Sequence, residues 1–218
     1  IAPGLVDTHI HGFGGVDVMD NNIEGTLHTM SEGLLTTGVT SFLPTTLTSS
    51  YERLLAVTEN IGARYQEASG AKIRGLYFEG PYFTEKYKGA QNPAYMKDPS
   101  MAEFRAWQKA ANGLLNKIAL APEREGVEEF VRTLTDEGVT VALGHSNATY
   151  DEAKTAVEAG ASVWVHAYNG MRGLTHRELG MVGAMYELPY TYAELICDGH
   201  HVDPKACDIL LKQKGHEN

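Results

Sequence analysis

Seven short apolar runs, each followed by a helical pattern and each join marked by glycine or proline, constrain this chain more than any other feature. The runs fall at 5–10, 39–43, 73–78, 118–121, 139–143, 161–165 and 192–196. Between them, apolar residues recur at helical spacing. They do so over 23–37 (Leu27, Met30, Leu34), from Ser49 or Ser50 to about residue 68 (Leu54, Val57, Ile61), and over 101–111. The pattern continues over 126–137 (Val127, Phe130, Val131, Leu134), 150–159 and 182–187, and Pro204 opens a last helix carrying Ala206, Ile209 and Leu210. Strands separated by helices cannot pair as hairpins, so this alternation predicts an all-parallel α/β architecture. The stretch 82–99, rich in Gly, Pro, Lys and Tyr, reads instead as a long functional loop.

Two parallel folds fit such a pattern. A doubly wound open sheet gathers its chemistry at one switch point, whereas a (β/α)8 barrel spreads it over the C-terminal ends of many strands. Here His, Asp or Glu recurs after runs one, three, five, six and seven. The barrel is therefore the predicted fold, a TIM-type α/β barrel, with residues 1–218 forming one partial domain. Only seven of eight strands are present, because the residues stop at Asn218, where an eighth would start. Closure of a barrel needs every strand paired on both sides. The strands at 6–11 and 192–196 are thus expected to face a gap that another chain or solvent fills. No sequence repeat beyond the β/α alternation is found.

Composition narrows the classes of partner. The 218 residues suffice for a sizeable core, and an apolar fraction of 43% with a charged fraction of 21% is ordinary for a globular protein. A net charge of −10 argues against nucleic acid or an anionic membrane as partner, though not against an anionic small molecule at a locally positive site. Cys197 and Cys207 make neither a disulfide framework nor a paired zinc motif, which points to a reducing, cytoplasmic compartment. No apolar run approaches the ~20 residues that span a bilayer, and no signal segment precedes Gly4. Ile1 is not an initiator residue, so the chain reads as part of something longer.

The chemistry begins at Gly4-Leu5-Val6-Asp7-Thr8-His9-Ile10-His11-Gly12. Side chains of a strand alternate faces, so His9 and His11 point the same way. Glu79, before Gly80-Pro81, closes the third run, His145 lies between Gly144 and Ser146 after the fifth, and His166 ends the sixth. Taken singly, each of these also fits a solvated turn residue or a satisfied interior histidine. Taken together, Glu79, His145 and His166 offer a carboxylate and two imidazoles, a set that holds catalytic zinc with one position open for water. His9 and His11 complete or extend it. His28, His176 and His216 read as solvated, and Met171, Met181 and Met185 as packing.

The order of these motifs carries a resemblance. Pro3 to Gly12 resembles the first-strand signature of the amidohydrolase superfamily. Glu79-Gly80-Pro81, Lys88-Gly89-Ala90, Gly144-His145-Ser146, His166-Ala167-Tyr168-Asn169-Gly170-Met171 and Asp198-Gly199-His200-His201-Val202 narrow it. Together they resemble the N-acetylglucosamine-6-phosphate deacetylase family over essentially all 218 residues. That resemblance implies Zn²⁺ or Fe²⁺ on Glu79, His145 and His166, with His9 and His11 matching the pair that creates a second metal position in some members. It implies substrate contacts from Ala90 and the following Gln91, and from Asn169 and Gly170 through backbone N–H groups. Arg177 matches an arginine that reaches the sugar phosphate, often from a neighbouring subunit, which implies a homodimer. His201 matches a catalytic histidine near the substrate carbonyl, and alternation lets only one of His200 and His201 face the site.

Three departures bear on that reading. Gln91 stands where many members have histidine, replacing a positive or proton-donating contact by a neutral amide. Gly170 stands where alanine is usual, a change expected to matter little for a backbone contact. The general-base aspartate implied by the resemblance ends strand eight, beyond Asn218, and the small flanking β-domain is absent, so residues 1–218 alone are expected to be inactive. The implied reaction is removal of the acetyl group from N-acetylglucosamine 6-phosphate, giving glucosamine 6-phosphate and acetate. Two alternatives stay open: another deacetylase or a cyclic-amide or nucleobase hydrolase of the same superfamily, and a catalytically dead module that binds metal and sugar phosphate.

Overall fold

A computed structural model describes residues 1–218, apart from the side chain of Ile23. The chain divides into two compact units, one formed by 1–80 with 100–118 and the other by 81–99 with 119–218.

The first unit opens with β1 (Leu5–Ile10) and a small antiparallel hairpin, β2 (Gly12–Phe13) with β3 (Val16–Asp17). Its two-residue turn is Gly14-Gly15, at φ +67° and +86°. Only glycine takes two consecutive positive φ values without strain, and such a turn matches the twist of the strands it joins. Helix α1 (Ile23–Leu35) follows, capped by Asn22, and buries Leu27, Met30 and Leu34 on the stripe that the spacing predicts. Each such side chain contributes roughly 1.5–3 kcal/mol on burial.

The strand β4 (Val39–Thr46) runs parallel beside β1, with Leu5 opposite Val39 and Ile10 opposite Pro44. It continues past Pro44, where the sequence pattern ends it. Proline tolerates this place because the ladder is irregular there, and the Ile10 amide donates to Thr45 Oγ1 at 3.0 Å. Ser50 caps α2 (Tyr51–Arg64), accepting from the Arg53 amide at 3.2 Å, and Leu54, Val57 and Ile61 form its buried face. The third apolar run is two strands, β5 (Lys72–Ile73) and β6 (Leu76–Glu79), both parallel to β4. Helix α3 (Met101–Ala110), capped by Ser100, buries Phe104 and Trp107 completely, and Trp107 packs on Phe78 with ring centroids 5.2 Å apart. Strand β7 (Leu115–Leu120) begins three residues before the expected 118.

The second unit contains the 82–99 loop, with two short 3-10 turns at Glu85–Tyr87 and Pro93–Tyr95. Helix α4 (Val127–Asp136) buries Val127, Phe130, Val131 and Leu134 as its spacing predicts. It leads to β8 (Thr140–Leu143). Thr149 and Glu152 form a reciprocal capping box on α5 (Tyr150–Glu158), satisfying two amides that a helix start otherwise leaves without partners. Next come β9 (Val163–Trp164), α6 (Gly180–Glu187) and β10 (Tyr192–Ala193), the two strands much shorter than the apolar runs that contain them. Strand β9 pairs parallel with β8, and β10 with β9.

Asp203 caps α7 (Pro204–Lys214), whose proline occupies the first turn, where a missing N–H costs nothing. Lys214, at the far end of α7, is buried and donates to Thr191 Oγ1 (2.7 Å) and the Leu188 carbonyl (3.2 Å). Thr191 Oγ1 also accepts from Trp164 Nε1 (2.8 Å) and donates to the Leu188 carbonyl (3.0 Å).

Along the chain, β1, β4, β6, β7, β8, β9 and β10 are the seven parallel strands of an incomplete (β/α)8 barrel. Their chain order, without the reversal that defines a doubly wound sheet, decides between the two folds.

Candidate metal centre

In the first unit, His9 lies in β1 and His11 just past its end, and β6 ends on Glu79. The Nε2 atoms of His9 and His11 are 3.3 Å apart. His9 Nε2 stands 3.5 Å from Glu79 Oε1, and His11 Nε2 3.1 Å from Oε2, so each carboxylate oxygen faces one imidazole. Glu79 is 2% exposed. A carboxylate withdrawn from water is costly unless charge or hydrogen bonds compensate it, and a bound cation is one such compensation.

The ring orientations favour metal. His11 Nδ1 lies 3.1 Å from the Thr45 carbonyl, an acceptor only, so Nδ1 carries the proton and Nε2 keeps the lone pair. The His9 amide donates to Asp7 Oδ1 at 3.0 Å, and the His9 ring stands edge-on to Tyr77 at 4.9 Å between centroids. Lys117 Nζ lies over the Tyr77 ring, 4.1 Å from its centroid. The three ligand atoms of His9, His11 and Glu79 fall within 4.8 Å of one another.

In the second unit, His145 and His166 face each other with Nε2 atoms 3.0 Å apart and rings nearly perpendicular. His145 Nδ1 donates to the Tyr87 carbonyl at 2.9 Å, which again leaves the lone pair on Nε2. Two nitrogens held at about 2.0–2.1 Å by one tetrahedral ion stand about 3.4 Å apart. Both histidine pairs are of that order, and the donor set of imidazoles and a carboxylate suits zinc or iron.

His145 and His166 sit at φ +44° and +31°, and Tyr168 at +74°. Residues with a Cβ pay roughly 1–3 kcal/mol there, and such torsions concentrate at functional sites. Tyr168 is anchored by hydrogen bonds of its hydroxyl to the Ala206 carbonyl (2.7 Å) and the Tyr186 hydroxyl (2.8 Å). Burial and the Tyr186 hydroxyl push its phenol well above the ordinary tyrosine value.

The loops that the resemblance assigns to substrate lie in the second unit as well. Ala90 is exposed and Gln91 buried, at the end of a turn in which the Gln91 amide donates to the Lys88 carbonyl. The Asn169 amide donates to the His166 carbonyl at 3.0 Å, so that amide is engaged within the loop. Gly170 has φ +60°, and a Cβ there would stand 3.0 Å from His145 Nδ1. The expectation that glycine in place of alanine matters little here does not take in the nearby His145 ring.

Arg177 is exposed. Its neighbour Glu178 pairs with Arg172, which also donates to the Asn147 carbonyl at 3.3 Å. His201 is exposed, with Nδ1 2.6 Å from Asp198 Oδ2. The amides of His201 and His200 donate to Asp198 Oδ1, at 2.9 and 2.8 Å. These two amides first, then the His201 ring, hold the Asp198 carboxyl well below the usual carboxylate range.

The sequence expectation does not include Asp198, although it stands three residues before His201. Nor does it include the Tyr87 carbonyl, a backbone atom that residue type does not mark.

The amidohydrolase family model matches residues 1–218. The chain is 44% identical over 210 residues to an N-acetylglucosamine-6-phosphate deacetylase of Vibrio furnissii, covering 96% of this chain and 52% of that protein. It is 42% identical over 210 residues to an N-acetylgalactosamine-6-phosphate deacetylase of Escherichia coli O157:H7, covering 96% of this chain and 55% of that one. The crystal structure of N-acetylglucosamine-6-phosphate deacetylase from Pasteurella multocida is similar at a TM-score of 0.89 and 34% identity, over 98% of this chain and 55% of the other. The chain spans about half the length of the curated relatives it matches.

Proposed function

The chain belongs to the amidohydrolase family, and from that premise we propose that its protein is a metal-dependent deacetylase of an N-acetylated amino-sugar phosphate, with N-acetylglucosamine 6-phosphate the leading substrate. The single observation that carries this reading is the convergence of His9, His11 and Glu79, with the His11 lone pair turned toward the carboxylate. Glu79 together with His145 and His166 is proposed as the principal ligand set, and His9 with His11 as the source of a second position. Zinc or iron held by them would supply Lewis-acid polarisation and would lower the pKa of water toward neutrality.

The chain's own residues do the positioning. Asp198 engages His201 Nδ1 and so fixes the ring, and His201 is proposed to meet the acetamide oxygen. Arg177 holds the phosphate, and the Ala90-Gln91 and Asn169-Gly170 segments flank the sugar, so that the amide is presented in one orientation. Gln91 can donate to or accept from a sugar hydroxyl, but it cannot carry charge. The proton needed by the leaving amine comes from the aspartate that the resemblance places after residue 218. Homodimerisation, with Arg177 reaching a neighbouring subunit's phosphate, belongs to the same proposal. Among the described residues no helix is long and apolar enough to cross a membrane.

The 42% identity to an N-acetylgalactosamine-6-phosphate deacetylase supports a second substrate, differing only at the sugar's C4 hydroxyl. Acetate release by the protein expressed from its complete gene, measured on both phosphorylated sugars and on unphosphorylated N-acetylglucosamine, tests both readings. The expected result is hydrolysis of one or both phosphorylated sugars at far higher kcat/KM than the unphosphorylated one. A metal-loaded protein that releases acetate from none of them would overturn the proposal.

A further inference from the structure

We propose that Glu123 is a positioning residue that holds the His145 loop, a role that rests on reading His145 and His166 as metal ligands. Glu123 lies just past the end of β7 and accepts from Ser146 Oγ at 2.6 Å and from the Asn147 amide at 2.7 Å. Its two oxygens thus grip the two residues that follow His145. Ser146 is fully buried, and its hydroxyl, with the proton committed to Glu123, accepts from the Ala148 amide at 2.9 Å.

The grip extends to a second loop. The Ser146 amide donates to the Gly170 carbonyl at 3.0 Å, and the Arg172 amide to the Ser146 carbonyl at 3.0 Å. Ser146 and Met171 form a short parallel bridge beyond the strand ends. One carboxylate therefore anchors the backbone that carries His145 and the segment that carries Asn169 and Gly170.

The physical need is the torsion of His145. At φ +44° it is strained, and such a conformation persists only where the surroundings over-determine it. The Tyr87 carbonyl fixes the ring, whereas Glu123 fixes the backbone on the C-terminal side. A carboxylate suits the task because both of its partners are donors and charge strengthens both bonds.

Glu123→Ala and Glu123→Gln, made in the protein expressed from its complete gene, test this. Zn²⁺ affinity is titrated calorimetrically on metal-free protein, and amide exchange is followed at Asn147 and Ala148. Thermal midpoint, kcat and KM are measured alongside. Glu123→Ala is expected to weaken zinc binding roughly 10–100-fold, the range found when a partner supporting a metal ligand is lost. It should also speed exchange at both amides and lower kcat more than it raises KM.

Glu123→Gln keeps an acceptor for the Asn147 amide but cannot accept the Ser146 proton, so its effect falls between wild type and alanine. Wild-type zinc affinity in Glu123→Ala, with only the midpoint lowered, would overturn the proposal and leave Glu123 a structural residue. Should that variant not fold, Ser146→Ala, which removes one of the two bonds, decides on the same readouts. The zinc affinities judge Glu123 even if the wild type hydrolyses neither sugar phosphate, an outcome that would overturn only the substrate reading.

Discussion

His145 donates its Nδ1 proton to the carbonyl oxygen of Tyr87 across 2.9 Å, and this one bond decides which nitrogen of the ring offers a lone pair. Tyr87 belongs to the long loop and His145 to the end of β8, so a backbone atom of the loop sets the tautomer of a candidate ligand.

Gly170→Ala should disturb that bond. The added methyl would stand 3.0 Å from His145 Nδ1 and 3.3 Å from the Tyr87 carbonyl, at a residue with φ +60°. We expect a stability loss of about 1–2 kcal/mol from the left-handed torsion and weaker zinc binding as the ring shifts. Chemical denaturation and calorimetric zinc titration measure the two effects. Unchanged zinc affinity would show that the loop yields without moving His145.

Glu79→Gln tests the carboxylate. The amide has one acceptor oxygen, and its NH2 group would face an imidazole nitrogen 3.1–3.5 Å away. Bound metal, counted by emission spectrometry after gel filtration, should fall. Activity should drop by at least the roughly 10–100-fold typical of losing a mere supporting partner. Full metal occupancy in this variant would remove Glu79 from the ligand set.

Arg177→Ala tests phosphate recognition. The acid of the same loop, Glu178, is paired with Arg172. A hydrogen bond to a charged group contributes about 1.5–3 kcal/mol. Accordingly, KM for the phosphorylated sugar should rise roughly 10–100-fold, with the unphosphorylated sugar little affected. Equal losses on both would assign Arg177 a structural role.

Lys214→Met addresses pH. Burial holds the Lys214 ammonium below the ordinary lysine value of 10.5. Between the folded value and 10.5 the unfolded chain keeps a proton that the folded chain has released, so stability rises with pH across that window. Near neutral pH the variant should lie within about 1 kcal/mol of wild type, because Thr191 still meets Trp164 and the Leu188 carbonyl still meets Thr191. As pH climbs toward 10.5, the wild-type melting midpoint should gain on that of the variant. Parallel midpoints across the range would show that Lys214 keeps its proton equally in both states.

Local chemistry alone accounts for what the sequence determined. The stripes of α1, α2 and α4 and a serine cap at Ser49 or Ser50, which the structure assigns to Ser50, depend on residues within a turn of one another, so spacing predicts them. The nearness of His9 and His11 follows from the two-residue period of an extended chain, and the all-parallel architecture from β/α alternation, with the recurrence of His, Asp or Glu after successive runs pointing to the barrel.

Tertiary structure decided whatever depends on a distant partner. Strand lengths are such a case: β9 and β10 pair over two residues each, because a strand lasts only as long as its neighbour matches it, while β4 passes through Pro44 where a side chain takes over for the ladder. The placing of Glu79 against His9 and His11 depends on register across β1, β4 and β6, which apolarity does not encode. The positive φ of His145 and His166 is likewise invisible in residue type. Histidine prefers other torsions, and around His145 the bonds that Glu123 makes to Ser146 and Asn147 and that the ring makes to the Tyr87 carbonyl come from residues far along the chain.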